Sequence, residues 1–451
     1  MATKGTDYEC SECGRRTPQW SGRCPDCGEW NSLEEVVPEE DEPRTTREPD
    51  DVEACTLQQV SWDRRPRMST GTGEFDRVLG GGLLRGSTIL LGGEPGVGKS
   101  TIVLQSLGQM AGERKCLYMA CEESLPQVKL RARRLDVEDS SLVVSGETDL
   151  EAICHLLERE DPDVVVVDSV QMVSAEGIDS LPGSLKQLRT CGGELIRRAK
   201  KRGTALILVG HATKQGAIAG PRALEHLVDA VLYFESENFQ ALRVLRAVKN
   251  RFGPANEVGV FEMASGGLEE VLNPSEFFLS EREAASAGSA VTSTVEGSRA
   301  LLLETQALVV PGAYGTPERR VTGADRRRVS MLLAVLQRRA GLDLLDCDVF
   351  VNVAGGVSVQ EPGADLALAL AIASGFQDRP FAPEMVAVGE VGLGGEVRGV
   401  GRMEERMKEA QRLGFERVMM PAGVRVDGDD MDLDLTRVKT LDQALAAAGG
   451  S

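Results

Sequence analysis

Residues 93–100 read Gly93-Glu94-Pro95-Gly96-Val97-Gly98-Lys99-Ser100, and Thr101 follows. The pattern is G-x-x-x-x-G-K-S, the phosphate-cradling loop of a nucleoside triphosphatase. Its flanks decide the fold. Ser87-Thr88-Ile89-Leu90-Leu91 before it is apolar and β-prone and predicts a buried strand, and Ile102 to Leu107 after it lacks Gly and Pro and predicts a helix. Strand, glycine loop and helix in that order form a nucleotide site. Glycines let backbone N–H groups approach phosphates, and the helix N-terminus adds a positive dipole end. Lys99 is positioned for the β- and γ-phosphates of ATP and the Ser100 hydroxyl for Mg²⁺. Gly93, Glu94, Pro95, Gly96, Val97, Gly98 and Thr101 complete the expected nucleotide-binding set.

Further along, Lys115 to Met119 predicts a second strand, ending at Cys121-Glu122-Glu123-Ser124. A carboxylate past a strand end beside a phosphate loop suits the base for an attacking water. Spacing leaves Glu122 and Glu123 equal candidates. Asp163-Val164-Val165-Val166-Val167-Asp168-Ser169 is a β-branched run, a strand buried on both faces, with Asp168 as the Mg²⁺-side carboxylate. Ser184 to Arg202 predicts a long helix whose basic end is read as a solvated face or a complement to the helix dipole. After the strand Thr204 to Val209 comes His211, a polar side chain placed to sense the γ-phosphate, and then a small-residue loop, Gly216 to Gly220. Strands are expected at Asp229 to Glu235, Leu242 to Val248 and Glu257 to Met263. Alternating strands and helices make an α/β fold with a mostly parallel sheet, extended by antiparallel strands.

The chain has 451 residues, too many for one core. Its 41% hydrophobic and 27% charged residues are those of a soluble globular protein. No apolar run approaches the roughly 18 residues of a membrane span, and no secretory h-region opens the chain, so a cytoplasmic location without membrane contact is expected. The net charge of −19 excludes nucleic-acid binding by bulk charge while leaving room for a local basic channel. Of ten cysteines, four cluster as Cys10-x2-Cys13-x10-Cys24-x2-Cys27, two knuckles that supply four thiolates to a structural Zn²⁺. Trp20 and Trp30 are expected to cover that small fold. Glu34 to Asp51 is acidic, carries three prolines and reads as a linker.

Residues 276–297 are rich in Ser, Ala, Gly, Thr and Glu and read as a second linker, with a C-terminal domain beginning near Arg299. There, Arg326 to Ala340 and Arg402 to Leu413 carry helical apolar stripes, Gly414 is placed to end the second, and Ala364 to Ala373 predicts a buried helix.

Gly93 to Thr101, Asp163 to Ser169 and Lys249-Asn250-Arg251-Phe252-Gly253 together resemble the RadA (Sms) family of bacterial DNA repair proteins, of which K-N-R-F-G is the signature. The four-cysteine finger and the third domain match as well, so the resemblance covers nearly the whole chain. It implies a RecA-like ATPase core similar to that of the replicative helicase DnaB and a homo-hexameric ring. It implies DNA-dependent ATPase and helicase activity on single-stranded and branched DNA, branch migration in recombination, and the RecA recombinase as partner. It also implies that Lys249 and Arg251 reach from one subunit into a neighbour's nucleotide site. The C-terminal region resembles the proteolytic domain of Lon, which uses a Ser–Lys pair. Gly363 stands at the serine position and Glu404 at the lysine position, so an inactive scaffold is expected. Arg319, Arg320, Arg326, Arg327 and Arg328 either line DNA or face solvent; Lys214, Arg222, Arg326 and Arg327 are the DNA-contact candidates. The paired glutamates also resemble those of the regulatory ATPase KaiC, a reading opposed by the finger, the K-N-R-F-G motif and the Lon-like domain. The expected layout is a zinc finger (1–35), an acidic linker (36–56), the ATPase core (57–275), a linker (276–297) and the Lon-like domain (298–451).

Overall fold

The computed structural model describes residues 7–36, 56, 58, 67–211, 222–236, 242–280, 282, 286–312, 316–354, 359, 361–426 and 431–449. They fall into two compact units, one within Met1–Glu235, Ala247–Gly253 and Ser265–Leu268, the other within Ser236–Arg246, Pro254–Ala264 and Glu269–Ser451. No helix among the described residues is long and apolar enough to cross a membrane.

The first unit opens with a zinc ribbon. β1 (Asp7–Cys10), β2 (Arg16–Thr17) and β3 (Leu33–Val36) form an antiparallel sheet in the order β2-β1-β3. Cys10, Cys24 and Leu33 are its interior, with Tyr8 packed against them. Trp20 and Trp30 do not cover this fold: they are 57% and 69% exposed. Cysteine sulfurs occupy the space that an aromatic core would need.

The RecA-like core follows. After α1 (Gly73–Leu79), the elements are β4 (Thr88–Gly93), α2 (Lys99–Met110), β5 (Cys116–Ala120), α3 (Leu125–Arg134), β6 (Val143–Ser145), α4 (Leu150–Glu160), β7 (Val164–Asp168), α5 (Leu185–Arg202), β8 (Ala205–Val209), α6 (Arg222–Glu225) and β9 (Ala230–Ser236). The strands are parallel in the order β9-β4-β8-β7-β5-β6. β4, β5, β7 and β8 are buried along their whole length, as unbroken Val/Ile/Leu runs covered by helices on both faces require. The Ser184 hydroxyl caps α5 at Gln187 N, and the basic end of α5 is spent on ion pairs: Arg197 and Arg198 with Glu194, Arg202 with Asp161, Lys200 with Asp229.

In the second unit, residues of β10 (Leu242–Asn250) pair antiparallel with β11 (Val258–Ala264). β12 (Gly267–Glu270) and α7 (Pro274–Leu279) follow. A mixed sheet is then built from β13 (Ser289–Glu296), β14 (Arg299–Pro311), β15 (Arg319–Thr322), β16 (Cys347–Val353), β17 (Met385–Ala387), β20 (Arg417–Pro421) and β21 (Asp434–Val438), in the order β15-β16-β14-β13-β17-β20-β21. β18 (Glu390–Val391) and β19 (Val397–Arg398) make a small hairpin. α8 (Arg326–Arg339), α9 (Asp365–Gln377), α10 (Met403–Arg412) and α11 (Leu441–Ala448) complete this Lon-like α+β domain, with α9 buried from Asp365 to Ser374.

Most of the described residues in the stretch expected as a second linker lie in α7 and β13. β13 is the middle strand of the sheet, in register with β14 from Ser289↔Gln306 to Glu296↔Arg299 and parallel to β17. Its small and β-branched residues resemble a tether by composition, yet they suit a strand squeezed between two neighbours.

Around Gly363, the position expected to correspond to the Lon serine, the described groups form an ion pair. Arg406, 3% exposed, donates to both carboxylate oxygens of Glu361 at 2.8 and 2.6 Å, to Ser293 O and to Gly401 O. A Cβ on Gly363 would lie 3.3 Å from that guanidinium. Glu404, in contrast, is exposed. We expect Arg406→Ala to destabilise this unit by roughly 3 kcal/mol, because it removes a buried charge-assisted pair and leaves a cavity; urea unfolding measures it.

Candidate nucleotide site and metal centre

Strand order builds the nucleotide site. β4 and β7 are separated by β8, so what stands at the end of β8 lies between the phosphate loop and Asp168. The loop leaves β4 through Gly93 at φ +154°, where a Cβ would meet Phe234 O at 2.3 Å, and it enters α2 through Gly98 at φ +116°. Only glycine tolerates those conformations. Lys99 is buried and donates to Gly93 O at 2.9 Å and Glu94 O at 2.8 Å. Burial lowers its pKa to about 8 against the opposing pull of Asp168 and Glu122. Ser100 is half-buried on the first turn of α2 and Thr101 is buried.

His211, just past β8, links the parts. Its Nδ1 lies 3.4 Å from Lys99 Nζ and its Nε2 2.9 Å from Glu122 Oε2. Glu122 is a half-exposed carboxyl: burial pushes its pKa up, but the hydrogen bond and charge of His211, with Ser169 and Lys99, bring it below its usual value. Glu123 turns elsewhere and pairs with Arg131 of α3. The two carboxylates that spacing left equal are thus distinct in geometry, and Glu122 is the one that faces the phosphate loop's lysine.

Two residues that sequence reasoning did not single out support this constellation, and a third acts at the other end of β4. The Tyr118 hydroxyl donates to Asp168 Oδ2 at 2.7 Å and is held protonated by burial and by that carboxylate. A tyrosine in an otherwise aliphatic buried strand was the available signal. Gln171 brackets the His211 backbone, accepting its N–H at 3.1 Å and donating to its carbonyl at 3.5 Å. Asp229, at the start of β9, accepts from Thr88 N and Thr88 Oγ1 at the start of β4.

Lys249 and Arg251 are not part of this cluster. Arg251 N donates to Asp229 O, and its guanidinium lies 3.6 Å from the Asp229 carboxylate. Asp229 sits against Thr88, the first residue of β4, whereas the phosphate loop leaves from the last; the six-residue strand separates them by roughly 16 Å. Lys249 donates to Glu225 O and Val228 O, while the Arg251 side chain is 57% exposed.

Of the DNA-contact candidates, Lys214 and the loop Gly216 to Gly220 lie outside the described residues, and Arg222 opens α6. Arg326 and Arg327 are exposed on the first turn of α8, behind the cap Asp325. Arg328 is half-buried and tied to the buried Asp365, and Arg320 pairs with Glu318.

At the ribbon, the four Sγ atoms lie within 4.8 Å of one another, with Cys10–Cys27 and Cys13–Cys24 at 3.6 Å. A tetrahedral Zn²⁺ with Zn–S near 2.3 Å needs sulfurs about 3.8 Å apart, so the set fits. Gly14 (φ +71°) and Gly28 (φ +77°) close the knuckles by donating to Cys10 O and Cys24 O.

Three family models match the chain: a rubredoxin metal binding domain over residues 8–35, an AAA domain over residues 55–217, and subunit ChlI of Mg-chelatase over residues 310–423. The DNA repair protein RadA of Bacillus subtilis is 49% identical over 434 residues, 95% of this chain and 94% of that protein. The DNA repair protein RadA of Pseudomonas aeruginosa is 48% identical over 450 residues, 99% of both. Among solved structures, a KaiC-like protein from Pyrococcus horikoshii covers 46% of this chain and 98% of its own at 19% identity, with a TM-score of 0.38.

Two outcomes follow from these geometries. Purified protein should hold one Zn²⁺ per chain by metal analysis, lost when Cys24 and Cys27 are both changed to Ala. Glu122→Gln should lower ATP turnover by about a hundredfold or more while Glu123→Gln retains most of it, read by phosphate release; equal losses would remove the distinction.

Proposed function

The chain belongs to the RadA family of DNA repair proteins, and from that membership we propose that it is a DNA-dependent ATPase motor working as a ring, a DnaB-like helicase that drives branch migration on single-stranded and branched DNA. Lys99 binds the β- and γ-phosphates of ATP, and Glu122 takes the proton of the attacking water. His211 stands between them as the group that registers whether a γ-phosphate is present. Ser100 and Asp168, a hydroxyl and a carboxylate, are donors suited to Mg²⁺, which when bound neutralises phosphate charge.

The observation that carries the reading is the place of Arg251. Its own phosphate loop leaves the opposite end of β4, roughly 16 Å away. An arginine this exposed and this remote completes a neighbour's site more readily than its own. Such a group acts chiefly on turnover, because charge moves on the transferred phosphoryl group, while ground-state binding rests on the loop in cis. Lys249, held by two carbonyls, is the lesser contributor. A chain of net charge −19 would need local cations to hold DNA, and Arg326, Arg327, Lys214 and Arg222 are the first to examine. The RecA recombinase is the partner that family membership implies.

A protease reading is opposed by Gly363 and by the Glu361–Arg406 pair beside it, and casein should remain intact. A KaiC-like regulatory ATPase would turn over ATP without regard to DNA; here single-stranded DNA should raise turnover several-fold, and an unchanged rate argues for the regulator. Arg251→Ala should bind ATP almost normally and hydrolyse it poorly. Mixed with Lys99→Ala under demonstrated subunit exchange, it should regain activity that neither variant has alone, whereas a cis arginine gives no rescue.

A further inference from the structure

We infer that Asp229 and Asn250 are positioning residues that aim Arg251 across the subunit boundary. This rests on the trans reading of Arg251 and goes beyond it by naming what holds that side chain's base and head.

Stabilising a transferring phosphoryl group requires a guanidinium held in place, and a long exposed arginine does not hold itself. Asp229 is 3% exposed and anchored on β4: its N–H donates to Thr88 O at 2.9 Å, and its Oδ2 accepts from Thr88 N at 3.1 Å and Thr88 Oγ1 at 2.7 Å. That leaves Oδ1 for two cations, Lys200 Nζ at 3.0 Å and Arg251 Nη1 at 3.6 Å. Burial pushes the Asp229 carboxyl up, yet Thr88 and Lys200 outweigh it and keep it below its usual value, so it is anionic. Its main-chain carbonyl also accepts Arg251 N at 3.0 Å. One aspartate therefore grips both the backbone and the head of Arg251.

Asn250 fixes the other side of the motif. Its Oδ1 accepts Phe252 N at 2.9 Å and its Nδ2 donates to Val78 O at 3.3 Å, which ties the turn carrying Arg251 to the end of α1. Arg67 reinforces this by donating to Phe252 O and to Leu79 O and Gly82 O. Gly253 packs on Gly80 so closely that a Cβ would lie 2.9 Å from its Cα. Within K-N-R-F-G, the asparagine and final glycine thus serve geometry, and the arginine between them is what they present.

Mixing full-length variants assigns the defect to one side of an interface. Asp229→Asn keeps shape and an acceptor for Thr88 but removes the charge facing Arg251; Asn250→Ala removes the tie to α1. Each should lower kcat of DNA-stimulated ATP turnover by about ten- to a hundredfold with KM changed less than about twofold. Each should be rescued by Lys99→Ala, which brings an intact arginine, and not by Arg251→Ala. Normal or raised kcat in both variants overturns the inference. So does rescue by Arg251→Ala instead, which would place the defect on the variant's own phosphate loop through Thr88 and β4. Should Asp229→Asn fail to fold by circular dichroism, Asn250→Ala decides alone. The Arg251→Ala and Lys99→Ala mixture is the control: if it regains activity while the new variants do not, only the positioning role is lost; if it fails, the trans reading falls and this inference with it.

Discussion

A parallel sheet has two chemically different edges, and this structure depends on keeping them apart. Every carboxyl end of β4, β5, β7 and β8 opens on one side, which is where the phosphate loop, Glu122, Asp168 and His211 gather. The amino ends open on the other, where Asp229, Lys200 and Arg251 meet. Helices covering both faces force the strands to be apolar throughout, so polar chemistry is expelled to the two edges. One edge gathers groups suited to a triphosphate; the other carries the exposed Arg251 side chain. The strand order then settles the inner arrangement, because β8 between β4 and β7 makes the residue after it a bridge.

Much of this was legible. The glycine loop, the four valines ending in Asp168, the cysteine knuckles and the helices α8, α9 and α10 follow from periodicity and spacing, which are local. What was not legible depends on distance through space. Glu122 and Glu123 are adjacent in sequence and alike in chemistry; only the position of Arg131 one helix later and of His211 three strands away separates them. Asp229 looked like one more acid at a strand start until β9 was laid beside β4. β13 misled for another reason: serine, alanine and threonine are tether residues when solvated and strand residues when squeezed, and composition cannot tell which.

The ribbon replaces an ordinary core with cysteine sulfurs, whereas the C-terminal unit keeps a large apolar core around α9 and adds one buried ion pair to it. In the ribbon, thiolates sit where side-chain packing would be, since about thirty residues cannot bury enough apolar surface. In the Lon-like unit, the buried Arg406 guanidinium pairs with the Glu361 carboxylate beside Gly363.

The placement of the tryptophans makes the molecule optically lopsided. Trp20, Trp30 and Trp62 are all that the chain has, and the first two stand in solvent on the ribbon. Tryptophan emission therefore reports on the first sixty-odd residues and is blind to the α9 core. A melting curve followed by that light would trace the ribbon, while the unit carrying Arg406 unfolded in the dark.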